Sequence, residues 1–325
     1  MKSKLNLFLA AAIAVASSFS IFAAPKQVNV GVLNGPSGIP CAYLIENKDS
    51  FGIKNLTFES FTSAQTELPK LLKGEIDIGF LPPNAAAKVF NAGKGAIVCL
   101  GITGNGNLFL ISKHSEQISL ESLRGKTIQC AGQGATPEYM FKYLLSKQNI
   151  PVNPENAADG VTLDFSVPNA NIAAALISGK AEFALVPEPF ATVAEMKSPD
   201  VRRSLDIQKL YARQNGGAYP MTLLVANAAF AKANKSTAEK FIEAYRQAYE
   251  WTVKNPLHAG ELTEKHSLGL KSTVVAKAIP SSAFTWKSAE EGRTDIEQLL
   301  SIFLENAPES VGGKLPADEF YFEGK

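Results

Sequence analysis

Apolar and polar positions alternate from residue 28, where Val28, Val30 and Val32 are separated by Asn29 and Gly31. That is the period-two pattern of a strand with one buried face. The run meets Asn34-Gly35-Pro36-Ser37-Gly38, after which Ile39, Tyr43 and Leu44 recur at helical spacing, with Ser37 placed to cap the helix. A second strand is predicted over Leu56–Phe61, followed by a helix carrying Leu68, Leu71 and Leu72. Gly74 suits the left-handed conformation that closes helices. A third strand, Ile76–Phe80, stops at Leu81-Pro82-Pro83-Asn84. The order β-α-β-α-β predicts an open, mostly parallel sheet flanked by helices, in the α/β class.

About 105 residues later the unit recurs. Val161-Thr162-Leu163-Asp164 matches Leu56-Thr57-Phe58-Glu59, and Leu176-Ile177-Ser178-Gly179-Lys180 matches Leu71-Leu72-Lys73-Gly74-Glu75. Phe183-Ala184-Leu185-Val186-Pro187 matches Ile78-Gly79-Phe80-Leu81-Pro82. Ahead of these, Thr127–Ala131 reads as a strand that Gly132-Gln133-Gly134-Ala135-Thr136-Pro137 turns into a helix over Glu138–Lys147. Two like units predict two lobes built alike. The apolar runs Leu108–Ser112 and Met221–Ala226 each follow glycines, as strands crossing between lobes would. The expected division is residues 24–107 plus 223–325 for lobe one and 108–222 for lobe two. Helices are also expected over Thr237–Lys254 (capped near Asn234 or Ser236), Ser272–Ala278 and Ser288–Glu305, with Leu315–Phe322 as an aromatic clasp on the body.

Composition narrows the function. Among 325 residues, 32 lysines and arginines balance 31 acids, interleaved, so no basic stripe exists to neutralise nucleic-acid phosphates. Lys2 and Lys4 precede an apolar run from Leu5 to about Phe22, closed by Ala23, Ala24 and Pro25. This reads as a secretory signal peptide over 1–23 cleaved after Ala23, rather than a membrane anchor. Its loss removes two lysines and takes the net charge from +1 to about −1. No cysteine stands near the exit, so a lipoprotein is not expected, and the mature chain is expected to be soluble, exported and monomeric. Export makes a Cys99–Cys130 disulfide one reading. The favoured one is that Cys41, Cys99 and Cys130 are small buried hydrophobes.

Two stretches carry a resemblance. They are Leu123-Arg124-Gly125-Lys126-Thr127-Ile128 with Gly134-Ala135-Thr136-Pro137-Glu138-Tyr139, and Ala174-Ala175-Leu176-Ile177-Ser178-Gly179-Lys180 with Leu185-Val186-Pro187-Glu188-Pro189-Phe190-Ala191. In these the chain resembles the type II periplasmic substrate-binding proteins of ABC importers, the SsuA-like branch serving sulfonates, nitrate, taurine and thiamine-pyrimidine precursors. The resemblance implies two mostly parallel sheets joined by two crossing strands. It also implies hinge closure on a small-molecule ligand, and delivery to a membrane permease with its ATPase. Contact with the membrane would be only through the permease, and no cofactor or metal is implied.

Open parallel sheets bind ligands outside their strand carboxyl ends. The candidate binding residues are therefore Asn34, Gly35, Ser37 and Gly38; Phe80, Pro83 and Asn84; Gly132, Gln133, Gly134, Ala135 and Thr136; and Asn169, Glu188, Phe190 and Tyr219. Ser37 and Thr136 stand at expected N-caps, so two helix N-termini would offer amides from opposite lobes. None of these loops contains Lys or Arg. Asn34, Asn84, Gln133, Asn169 and Glu188 offer directed hydrogen bonds. Phe80, Phe190, Tyr43 and Tyr219 stand close enough in sequence to offer ring faces, although each alone is as consistent with core. Together they suit a small polar heteroaromatic, with a sulfonate or taurine-like anion next. Glu188 either accepts from that ligand or holds its own Pro-Glu-Pro turn.

An enzyme on the same fold is the alternative. His114, His258 and His266 lie outside the cleft loops, no metal-binding spacing is present, and Gly132-x-Gly134 lacks the third glycine of a dinucleotide loop. A binding module serving a membrane sensor is the other alternative.

Overall fold

The computed structural model describes residues 27–93 and 95–324, so the leader expected over 1–23 lies outside the described residues. The chain begins with β1 (Val28–Leu33), α1 (Gly38–Glu46), β2 (Leu56–Phe61), α2 (Ala64–Lys73), β3 (Ile78–Leu81), α3 (Pro83–Ala92) and β4 (Ile97–Asn105). It crosses to a second sheet with β5 (Leu108–Ser112). There follow β6 (Thr127–Cys130), α4 (Thr136–Ser146), β7 (Thr162–Asp164), α5 (Asn169–Ile177), β8 (Phe183–Pro187), α6 (Phe190–Lys197), β9 (Arg202–Asp206) and α7 (Ile207–Asn215). It returns through β10 (Pro220–Asn227) to α8 (Ala228–Ala233), α9 (Lys235–Lys254), α10 (Pro256–Lys265), α11 (Ser272–Ala278), β11 (Phe284–Ser288) and α12 (Arg293–Asn306).

The first sheet has the order β11-β4-β10-β3-β1-β2 and the second β7-β6-β8-β5-β9. The internal repeat is visible in the register. Val30 stands between Phe58 and Ile78, and Ile128 stands between Leu163 and Phe183, so both neighbours shift by the same 105 residues. In each sheet the next strand is antiparallel and arrives from the other lobe, β10 beside β3 and β5 beside β8. The two crossovers run together, Gly106 N–H donating to the Tyr219 carbonyl at 2.9 Å. The return crossing lies earlier than expected. Pro220 and Thr222 pair with Asn105 and Gly104 in the first sheet, because the sheet edge offered by β4 starts there.

Other departures have local causes. The helix expected over Ser288–Glu305 starts at Arg293, since Phe284–Ser288 is an edge strand whose Trp286 packs on Tyr245 at 6.0 Å. The C-terminal clasp closes on β4: Phe322 N–H donates to the Cys99 carbonyl at 2.9 Å, and Phe320 packs edge-on against Phe90. All three cysteines are free and buried, Cys99 in the first sheet and Cys130 in the second, so the disulfide reading is excluded. Burial pushes the Cys99 thiol up to about 12.

Candidate functional site

Between the sheets, at the carboxyl ends of their parallel strands, lies a cavity of about 490 Å³. That volume is in the range that takes a small organic molecule. Lobe one contributes Leu33 and Pro36 after β1, Thr62–Gln65 at the start of α2, Pro82 before α3, and Met221 and Thr222 from β10. Lobe two contributes Ala131–Gln133, Ala135–Pro137 and Pro187, and Asn107 of the crossover completes the wall. Among the described residues no lining side chain is charged and none is aromatic.

Of the sixteen expected residues, Gly132, Gln133, Ala135 and Thr136 line this cavity, and Gly134 lies between them. Asn84 and Pro83 stand at its edge. Asn84 Nδ2 donates to the Gly134 carbonyl at 3.0 Å, joining the lobes across the cleft. The remainder are placed elsewhere. Asn34 is exposed and accepts from Ser60 Oγ at 2.6 Å. Gly35, Ser37 and Gly38 are buried in the turn before α1, whose first amides already donate to Gly35 and Pro36 carbonyls. Ser37 makes no side-chain cap bond, and Thr136 is the first residue of α4 rather than its cap, which is Ala135. Asn169 is the first residue of α5.

The expected ring faces point into packing. Phe80 is fully buried against Tyr245, Phe190 is half-buried at the start of α6 and packs against the lobe-two core, and Tyr43 stacks on Trp251 at 4.4 Å. Tyr219 is fully buried beside Tyr211. Apolar contact in the cavity comes instead from Pro36, Pro82, Pro137, Pro187 and Met221. Glu188 is not among the residues that line the cavity: its carboxylate is fully buried, accepts from Thr192 and Ser281, and pairs with Arg203 at 2.6 Å.

The segment Thr62–Gln65 was not among the expected residues, although the repeat pointed to it: Val167, a strand-end position in lobe two, is Thr62 shifted by 105. Ser63 caps α2 by accepting from Thr66 N–H, leaving the first amides of the helix, at Ala64 and Gln65, in the cavity wall. Glu67 seats the helix. Its Oε1 accepts from Phe80 N–H at 3.1 Å over Gly31 and Gly79, where a Cβ would come within 2.3 and 2.0 Å of that oxygen. Its Oε2 is buried without a partner, and burial pushes the carboxyl up to about 8, so it is protonated at neutral pH.

Two residues of the cavity wall carry a buried polar atom without a partner. Asn107 Nδ2 donates to the Ser282 carbonyl at 3.2 Å, which fixes the amide and leaves Oδ1 without a partner. Thr136 Oγ1 is likewise unpartnered, and Asn107 and Thr136 are only 6% and 1% exposed. Such atoms are expected to find a partner.

Residues 62–259 match the family described as NMT1/THI5 like. The putative binding protein YtlA of Bacillus subtilis (strain 168) is 27% identical over 217 residues, covering 64% of this chain and 61% of that protein. The chain thus spans about three fifths of that relative's length. Among solved structures, an ABC transporter protein from Parabacteroides distasonis aligns with a TM-score of 0.77 at 24% identity, over 92% of this chain and 99% of the other. The periplasmic aliphatic sulphonate binding protein SsuA of Escherichia coli aligns at 0.74 and 17%, over 93% and 94%. The periplasmic nitrate-binding protein NrtA of Synechocystis PCC 6803 aligns at 0.64 and 13%, over 86% and 81%. These likenesses establish the two-lobed type II periplasmic-binding-protein fold, and with the match over residues 62–259 the chain belongs to the NMT1/THI5-like family.

Proposed function

We propose that the protein is an extracytoplasmic solute-binding component of an ABC importer, capturing a small organic molecule between its lobes and handing it to a permease driven by an ATPase. Three things support this reading: family membership, the binding-protein neighbours, and a cavity at the strand ends of two lobes joined by two crossovers. Among the described residues no helix is long and apolar enough to cross a membrane. Capture without chemistry is the reading because the solved neighbours include binding proteins.

The single observation that carries the ligand class is the pair of unsatisfied groups, Asn107 Oδ1 and Thr136 Oγ1, in a wall without charge. A small polar heteroaromatic with amino or ring N–H donors, such as a thiamine-precursor pyrimidine, has donors that suit these groups and a ring that suits the proline faces. A sulfonate or taurine-like anion is the second reading, favoured by the α2 amides at Ala64 and Gln65. Calorimetric titration with 4-amino-2-methylpyrimidine and with taurine tests the choice. Heat from the pyrimidine and none from taurine is expected; the reverse overturns the ligand class.

A further inference from the structure

Asn107 belongs both to the cavity wall and to the joint behind it. Its carbonyl accepts from Glu188 N–H at 3.0 Å, its Nδ2 donates to the Ser282 carbonyl, and its Oδ1 is buried without a partner. Ser281 and Ser282 are tethered to lobe one at both ends. Ahead of them α10 packs on α1, and behind them β11 pairs with β4. Ser281 nevertheless reaches lobe two, its Oγ donating to Glu188 Oε1 at 2.5 Å, while α11 packs on α6.

The acceptor is held rigidly. Thr192 donates its N–H and hydroxyl to Glu188 at 3.2 and 3.1 Å, and Arg203 pairs with it from β9. Arg203 is itself stacked on Phe109 at 4.4 Å and paired with Glu195. A fixed lobe-two carboxylate and a lobe-one hydroxyl form a contact that rotation of the lobes must break.

We propose that Ser281 and Glu188 form a catch holding the lobes together, and that Asn107 ties the catch to occupancy of the cavity. The inference rests on that cavity being the solute site. A solute seated against Asn107 strengthens the hold of its carboxamide on Ser282 and, beside it, Ser281. Glu188 is then a positioning residue that sets how long a solute stays without touching it, and the coupling is a differential stability of the closed state.

The test uses paired spin labels on Lys73→Cys and Lys180→Cys, exposed at the far ends of α2 and α5, the native thiols being buried. Interlobe distances are read without added solute. A hydrogen bond to a charged acceptor shifts an equilibrium by roughly tenfold or more. Ser281→Ala and Asn107→Ala should therefore each raise the open-to-closed ratio about tenfold, and the double variant no further than either alone. With 4-amino-2-methylpyrimidine as probe, Ser281→Ala should release it about tenfold faster at unchanged association rate, with Ser281→Thr restoring the wild-type value. Unchanged distance distributions, or effects that simply add, overturn the catch. A probe that binds no form of the protein refutes the ligand class and leaves the distances to decide the catch.

Discussion

Replacing Glu67 with Gln should change how stability depends on pH. The carboxyl sits over Gly31 and Gly79 with one oxygen on Phe80 N–H and the other without a partner, and burial raises it from an ordinary 4.5 to about 8. The unfolded chain ionises this group near 4.5 and the folded chain near 8. Folding therefore takes up a proton in between. The stability associated with the neutral acid is complete below pH 4.5, falls as pH rises, and is gone above about 8. At about 1.36 kcal/mol per tenfold change, the full loss is on the order of 5 kcal/mol, an upper figure because local relaxation admits water. Glutamine keeps the shape and the acceptor for Phe80 and cannot ionise. Urea unfolding of both proteins at pH 5, 6.5 and 8 isolates the group, since every other titration cancels in the difference. The variant should match or slightly trail the wild type at pH 5 and exceed it at pH 8 by roughly 2–4 kcal/mol. Parallel profiles would show that Glu67 is ionised in the folded protein, and the reasoning would fail.

Glu188→Ala leaves Arg203 with Glu195 alone and strips Ser281 and Thr192 of their acceptor, so unfolding in urea should show a loss of about 3–5 kcal/mol. A ligand-contact role predicts lost affinity at unchanged stability instead. Thr136→Val should weaken 4-amino-2-methylpyrimidine about fivefold by calorimetry while leaving the melting temperature unchanged or raised, because it removes a buried hydroxyl without a partner. A thiol reagent should label none of the three cysteines in the native protein and all of them after denaturation; a native disulfide would leave only one to react.

What the sequence showed most clearly is what local pattern determines. The 105-residue repeat became two sheets with matching register because strand alternation and the closing glycines after α2 and α5 are local features. Burial and direction were less legible. Phe80 and Tyr219 end strands or crossovers beside the cleft, yet Phe80 points to the opposite face of β3, where Tyr245 fills the space, and Tyr219 turns back onto Tyr211. Glu188 was ambiguous for a different reason. Its partners Ser281 and Arg203 are distant in sequence, and only the topology makes them neighbours. The strand β11 was hidden by a short polar sequence, with Phe284 and Trp286 as its sole alternating signal. Lobe one's contribution at Thr62–Gln65 could have been read from the repeat, since the same strand-to-helix turn recurs 105 residues apart.

Mass spectrometry of the protein purified without denaturation asks most directly whether this uncharged cavity takes up a nitrogen-bearing solute and leaves it intact. Wild-type protein should carry one such neutral compound, one per chain, which is released by acid, rebinds and is recovered with its mass unchanged. Ala135→Trp, which fills the cavity from its lobe-two wall, should carry none. An anion as the sole bound species, equal loading of the variant, or a compound recovered with altered mass would contradict it.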